Sequence, residues 1–209
     1  IIKTFKELDE LANVIARLPH QARHRVWAEV NCDGQKFPLH SFSFGSQDPS
    51  APTFVLVGGV HGLERVGTHV VTSFLRTICE FIGWDDILHQ TLERCSLHFY
   101  PIVNPGGMYL GRRSNPNHVD LMRNAPINAD KGQASFLVGG QRITKLLPWY
   151  RGKKNHPMEL EAETLRRFIE AASFRSKLAI VVDVHSGFGT MDRLWFPYAN
   201  TKTPFPNVG

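Results

Sequence analysis

The chain has 209 residues, of which 42% are hydrophobic and 21% charged, and carries a formal net charge of +5. That length carries one well-buried core and is short for two, and the balance of residue types excludes a disordered chain or a coiled coil. No stretch approaches the roughly 20 uninterrupted apolar residues that a membrane span needs. The opening Ile1-Ile2-Lys3-Thr4 has no basic-then-apolar signal segment, so the expected location is cytoplasmic. The three cysteines, Cys32, Cys79 and Cys95, have no short paired spacing, which argues against a disulfide framework or a cysteine-based zinc knuckle. Lys and Arg are scattered. Only Arg112-Arg113 and Lys153-Lys154 stand together, without interleaved aromatics, so no nucleic acid partner is expected and a mild preference for anionic substrates is.

In chain order, Thr4-Phe5-Lys6-Glu7 has the form of a capping box, and Leu8, Leu11, Val14, Ile15 and Leu18 follow at helical spacing up to Pro19. A first helix over about 4 to 18 follows. Arg25 to Asn31 and Phe37 to Phe44 alternate on either side of Asp33-Gly34, the pattern of a β-hairpin. Thr53 to Val57 is a continuous apolar run ending in Gly58-Gly59, which predicts a buried central strand. Residues 64 to 83 place Val66, Val70, Phe74, Ile78 and Phe81 at three- and four-residue intervals, an amphipathic helix. Leu97 to Val103 reads as another buried strand, 104 to 156 as a long Gly/Pro/Asn-rich region, 158 to 175 as helix, and Lys177 to Val184 as a last buried strand. Apolar strands alternating with helices predict an α/β fold, a mixed and largely parallel sheet sandwiched between helices. An irregular stretch of about 50 residues exceeds an ordinary connector and is expected to carry function.

His61 and Glu64 stand three residues apart just past the end of a predicted buried strand, where open α/β sheets present their ligands. Both are ordinary zinc ligands. His-x-x-Glu is a common spacing, and the chain holds a second copy, His156-Pro157-Met158-Glu159, with no buried strand leading into it. That copy reads as a loop histidine and a helix-start carboxylate favoured by the macrodipole. His185 closes the strand Ile180 to Val184 in the same way that His61 follows Thr53 to Val57. In neighbouring parallel strands both histidines face one cleft. Three ligands with a fourth position open is the pattern of a catalytic zinc, and two imidazoles with one carboxylate suit that ion.

Four ordered motifs over about 130 residues resemble the zinc metallocarboxypeptidase superfamily: His61 with Glu64, Asn104-Pro105-Gly106-Gly107, Asp120-Leu121-Met122-Arg123-Asn124, and His185-Ser186. Tyr150-Arg151-Gly152 followed by Glu159-Leu160-Glu161 also resembles a segment that these enzymes carry. The resemblance implies a carboxypeptidase-like fold and a single catalytic domain. It assigns His61, Glu64 and His185 to zinc, and gives Asp120 a hydrogen bond from the non-ligating nitrogen of His61. Arg113, with Arg112 as the fallback register, would polarise the scissile carbonyl, and Arg123 would bind a substrate carboxylate.

The sequence also departs from that pattern. Met122 stands where the family carries the Asn of its carboxylate clamp, Leu63 where digestive members have Arg, and Gly187 where they have Tyr. The family's general-base Glu, well downstream of the last ligand, has no counterpart here, since no Glu follows Glu170. The C-terminal part is therefore expected to lie beyond residue 209, with the base in it. The expected function is hydrolysis by zinc-bound water of a peptide or amide bond near a free carboxylate. The alternatives are a deacylase of N-acyl amino acids, of the succinylglutamate desuccinylase and aspartoacylase type, a cell-wall peptide amidase, and a non-catalytic zinc or peptide-binding module.

Overall fold

The computed structural model describes residues 5–128, 139–187, 189–191 and 194. Helix α1 spans Lys6–Ile15, and its N-cap is Phe5, which offers no side-chain hydrogen bond. The capping box of the sequence reading falls on Thr4, which lies outside the described residues. Glu7, 2% exposed, gives its carboxylate to Arg65 and His69. The helix stops short of residue 18 because Arg17 and Leu18 bond back three residues, to Val14 and Ile15, in a tightened last turn before Pro19.

The hairpin forms as predicted, with longer arms: β1 is Arg23–Cys32 and β2 is Gln35–Gly45. Its turn residues Asp33 and Gly34 have φ of 50° and 75°, the doubly left-handed turn that matches the strands' twist. Strand β3 is Thr53–Gly58, helix α2 is Arg65–Phe81, and α3 is Asp86–Arg94. The sequence reading passes over α3, since only Leu92 of it is buried and Ile87 points to solvent. Its start is nevertheless a regular cap, the Asp85 carboxylate accepting from the Leu88 amide at 2.8 Å.

Strand β4, Ser96–Tyr100, ends earlier than predicted because Pro101 cannot donate to a ladder. The chain then runs beside the β3 turn, with the amides of Val103 and Asn104 donating to the carbonyls of Gly58 and Gly59. The long irregular region holds a short helix α4, Pro105–Tyr109, and a 3-10 turn, Leu121–Arg123. Helix α5 is Leu160–Ser173 and β5 is Ala179–Val184.

The five strands form one mixed sheet in the order β1-β2-β4-β3-β5. Its hairpin half is antiparallel, while β3 pairs in parallel with β4 and with β5. Helices cover both faces. Phe42, Phe44, Leu56 and Phe99 pack against Leu11, Val71, Leu75 and Ile78 from α1 and α2, whereas Val55, Val57 and Tyr100 pack against Ala162 and Phe168 from α5. Among the described residues no helix is long and apolar enough to cross a membrane.

Candidate metal centre

The register of β3 against β5 pairs Gly58 with Val184, so the residues that follow the two strands emerge at the same end of the sheet. His61 and His185 meet there, with ring centroids 5.0 Å apart. The turn between β3 and α2 is packed against the α4 segment. A Cβ on Gly62 would lie 2.2 Å from the Gly107 carbonyl carbon and 2.5 Å from the Arg112 oxygen, so only glycine fits between the two ligands of the first motif. Asn104 ties these pieces together. Its Oδ1 accepts from the Gly107 amide at 2.8 Å, and its Nδ2 donates to the carbonyls of Val60 and Arg113, each at 3.3 Å.

His61 Nδ1 lies 2.9 Å from Glu64 Oε1, and His185 Nδ1 lies 3.0 Å from Glu64 Oε2. One ligand atom from each of the three residues falls within 4.8 Å of the others. Among the described residues this is the one such group of His, Cys, Asp and Glu. Glu64 Oε2 also accepts from the Ser186 amide at 3.1 Å. Behind the ligands, His61 Nε2 is 3.2 Å from Asp120 Oδ1, and His185 Nε2 is 2.6 Å from Asp183 Oδ2.

A cationic wall closes the other side of Glu64. Arg113 donates from Nη1 to Glu64 Oε1 at 2.8 Å and from Nε to Asp120 Oδ2 at 3.1 Å; Arg123 Nη1 reaches the same Asp120 oxygen at 3.0 Å. The Arg123 guanidinium carbon lies 5.7 Å from the centre of the Trp149 ring. Trp149 has φ of 58°, a costly conformation for a bulky residue. Hydrogen bonds on both sides hold it there: its own carbonyl accepts from Gln141, and that of Tyr150 from Asp120.

The charges are tuned by these contacts. Burial alone would raise the Glu64 carboxyl; hydrogen bonding to His185, contact with His61 and the Ser186 amide outweigh it and hold the group far below the usual carboxylate range. Burial likewise works against ionised Asp120, but the neighbouring His61, Arg113 and Arg123 bring it down to about 2. Both carboxylates are anionic at neutral pH. For His185, burial disfavours the charged ring, yet Asp183 and Glu64 together raise it to about 9.

This donor set fits a divalent ion. His61 is 3% exposed, and although its Nδ1 approaches Glu64 it is off the line of a hydrogen bond, so this buried nitrogen has no hydrogen-bond partner among the described residues. A buried imidazole nitrogen facing an anionic carboxylate without a hydrogen bond is costly unless something else completes it. A cation between the two Nδ1 atoms and Glu64 would do so.

The family profile described as zinc carboxypeptidase matches residues 30–208. The chain belongs to the zinc carboxypeptidase family. It is 36% identical over 127 residues to carboxypeptidase SOL1 of Arabidopsis thaliana, an alignment that covers 59% of this chain and 24% of that protein. To carboxypeptidase E of Caenorhabditis elegans it is 34% identical over 95 residues, 39% of this chain and 20% of that one. The matches thus span a quarter or less of these curated relatives. Among solved structures, bovine thrombin-activatable fibrinolysis inhibitor in complex with tick carboxypeptidase inhibitor superposes with a TM-score of 0.66 at 15% identity, covering 95% of this chain and 64% of that one. Carboxypeptidase A from Helicoverpa armigera gives 0.59 at 18% identity, with 87% and 44% covered. These superpositions establish the carboxypeptidase fold.

Within that fold, His61, Glu64, His185, Asp120, Arg113 and Arg123 come together at one end of the sheet. Arg112 stays out of this cluster and meets His118 instead, its Nη1 3.0 Å from the ring Nε2. The second His-x-x-Glu copy does not converge: His156 is exposed, and the Glu159 carboxylate accepts from Asn115 and Asn117. Leu63 and Met122 are 58% and 54% exposed, so neither replaces the polar contact that the family pattern has at its position. The general base expected beyond residue 209 lies outside the described residues. Sequence reasoning missed Asp183, although an Asp two residues before His185 in a strand must share its face. Asn115 was missed too. It is 1% exposed and fixes the loop before Asp120 by accepting from the amides of Asn117 and Val119 while donating to Glu159.

Proposed function

We propose that this chain holds zinc on His61, Glu64 and His185 and serves the hydrolysis of a peptide bond next to a free C-terminal carboxylate. The observation that carries this reading is the convergence of the two Nδ1 atoms on one anionic carboxylate beside the Arg113 guanidinium. When bound, zinc supplies Lewis acidity toward a carbonyl and lowers the pKa of a coordinated water toward neutrality.

Apart from the general base expected beyond residue 209, four of the chain's own residues take up the other roles. Glu64 stays deprotonated across the physiological range because His185 and its other hydrogen-bond donors overcome its burial, so it is available as a ligand without a proton to displace. Asp120 holds the His61 ring by its outer nitrogen. Arg113 is assigned the substrate carbonyl: a fixed, permanently charged donor next to the site stabilises negative charge that develops on that oxygen. Arg123 is assigned the substrate's terminal carboxylate, which a guanidinium fork can bind through two parallel hydrogen bonds.

The test pairs metal analysis with substrate choice. Purified protein is expected to carry about one zinc per chain, and His61→Ala to lose it while keeping its fold. A His61→Ala protein with undiminished zinc would refute the ligand assignment. Cleavage of short peptides over N-succinyl or N-acetyl amino acids is expected, and the opposite preference would assign the site to a deacylase. Zinc binding with neither activity, in a protein that includes the acidic residue expected beyond residue 209, would leave a binding module.

A further inference from the structure

We infer that Asp183 is a positioning residue that fixes His185 in its metal-binding orientation, so that both imidazole ligands of this chain are braced by a carboxylate. The inference rests on the reading of the site as a zinc centre. Strand β5 reads Ala179-Ile180-Val181-Val182-Asp183-Val184 and is aliphatic except for this one residue. Since side chains alternate along a strand, Asp183 and His185 lie on the same face, and Asp183 Oδ2 stands 2.6 Å from His185 Nε2. That is the short separation of a charge-assisted hydrogen bond.

Asp183 has an energetic cost that a purely structural residue would avoid. Its Oδ1 is buried with no hydrogen-bond partner among the described residues, and a buried carboxylate oxygen left in that state opposes folding. A valine or isoleucine would continue the strand without that penalty. Among the described residues, the interaction recovered is the bond to His185. In the metal-binding form it fixes the tautomer: a proton on Nε2, held by Asp183, leaves the Nδ1 lone pair facing Glu64.

The two braces are not equivalent. Asp120 divides its charge among His61, Arg113 and Arg123, whereas Asp183 meets His185 with no cation opposite it among the described residues. Its negative charge therefore falls undivided on one imidazole. His185 should be the more strongly donating of the two ring ligands.

Zinc affinity measured by chelator competition on the wild-type protein, Asp183→Ala and Asp183→Asn tests this, with His61→Ala as the control that removes a ligand outright. Asp183→Ala is expected to bind zinc about 10- to 100-fold more weakly. Asp183→Asn, which keeps a hydrogen-bond acceptor but not the charge, is expected between Asp183→Ala and wild type. The visible absorption of the Co²⁺-loaded protein should shift in both variants, a change that loss of general stability would not produce. If Asp183→Ala misfolds, the near-isosteric Asp183→Asn decides the question alone. Wild-type affinity and an unshifted Co²⁺ spectrum in that variant would overturn the inference. A wild-type protein that binds neither ion would instead overturn the zinc reading on which it rests.

Discussion

A Cβ on Gly67 would lie 2.0 Å from the carbonyl oxygen of Val184, so helix α2 and the end of strand β5 touch backbone to backbone. This contact lies between the segments that carry Glu64 and His185, and it sets how closely they approach. Neither neighbour is a flexible side-chain tip, so any side chain at residue 67 must push the helix and the strand apart. Gly67→Ala is expected to cost about 1–3 kcal/mol by overpacking and to weaken metal binding along with it. Urea denaturation and zinc titration of the same variant would check both. An unchanged unfolding midpoint would show that the backbone yields more easily than this geometry implies.

Arg113 contacts the ligand Glu64 at 2.8 Å, yet its role can be tested apart from metal binding. Its removal leaves Asp120 paired with His61 and Arg123, so the His61 ring keeps its support. Arg113→Ala is therefore expected to retain zinc and to lose about 10²- to 10³-fold in turnover, the usual effect of deleting a donor to developing oxyanion charge. Arg113→Lys should recover only a small part, because an ammonium cannot reproduce the planar fork. Loss of zinc from Arg113→Ala would mean that the guanidinium supports the site and not the substrate.

The parts of the fold set by periodicity were legible in the sequence. The continuous run Thr53 to Val57 and the spacing from Val66 to Phe81 come out as β3 and α2, because a buried strand and an amphipathic helix each leave a direct pattern. Helix α3 left little pattern, since it lies on the surface with a single buried residue. The partner of Glu7, Arg65, stands 58 positions away and has no signal in local spacing. At the site, the residues named by motif meet in space. Asp183 was passed over because a lone acid in an apolar strand does not name its partner, although its place two residues before His185 brings the two to one face. Pairings such as Asn115 with Glu159, 44 positions apart, have no signal in local spacing at all.

Two half-buried histidines, His98 and His40, give stability a signed dependence on pH. Burial lowers His98 to about 4, with Arg23 adding to it, and lowers His40 to about 4, with His24 adding to it. Their ordinary value is 6.5, so between pH 6.5 and 4 the unfolded chain takes up protons that the folded one refuses. Their contribution is fully present above 6.5 and is lost as the pH falls through the folded values. Glu64 and Asp120 lose theirs only at lower pH, below the usual carboxylate values. Denaturation midpoints should thus decline between pH 6.5 and 4.5, by an amount worth a few kcal/mol at most, and the decline should be smaller in His98→Gln. The same change in midpoint across that window in His98→Gln and in the wild type would contradict the neutral state of the His98 ring.

Glu161 works in the opposite direction. It is 3% exposed at the start of α5, and among the described residues its one side-chain donor is the Asn115 amide, at 3.3 Å to each oxygen. Burial raises its carboxyl to about 7, and nearby Glu159 adds to the shift. The folded state therefore holds a proton that the unfolded state has already released above its ordinary value of 4.5. That contribution is full below 4.5 and is lost as the pH rises through 7, above which folding must bury a charge. Glu161→Gln keeps the shape and an acceptor for Asn115 while removing the charge. The variant is expected to match wild type at pH 5 and to exceed it at pH 8 by on the order of 1–3 kcal/mol, read from urea unfolding at the two values. Equal stability at pH 8 would mean that the wild-type carboxylate is ionised at little cost, and that Asn115 alone is enough to hold it.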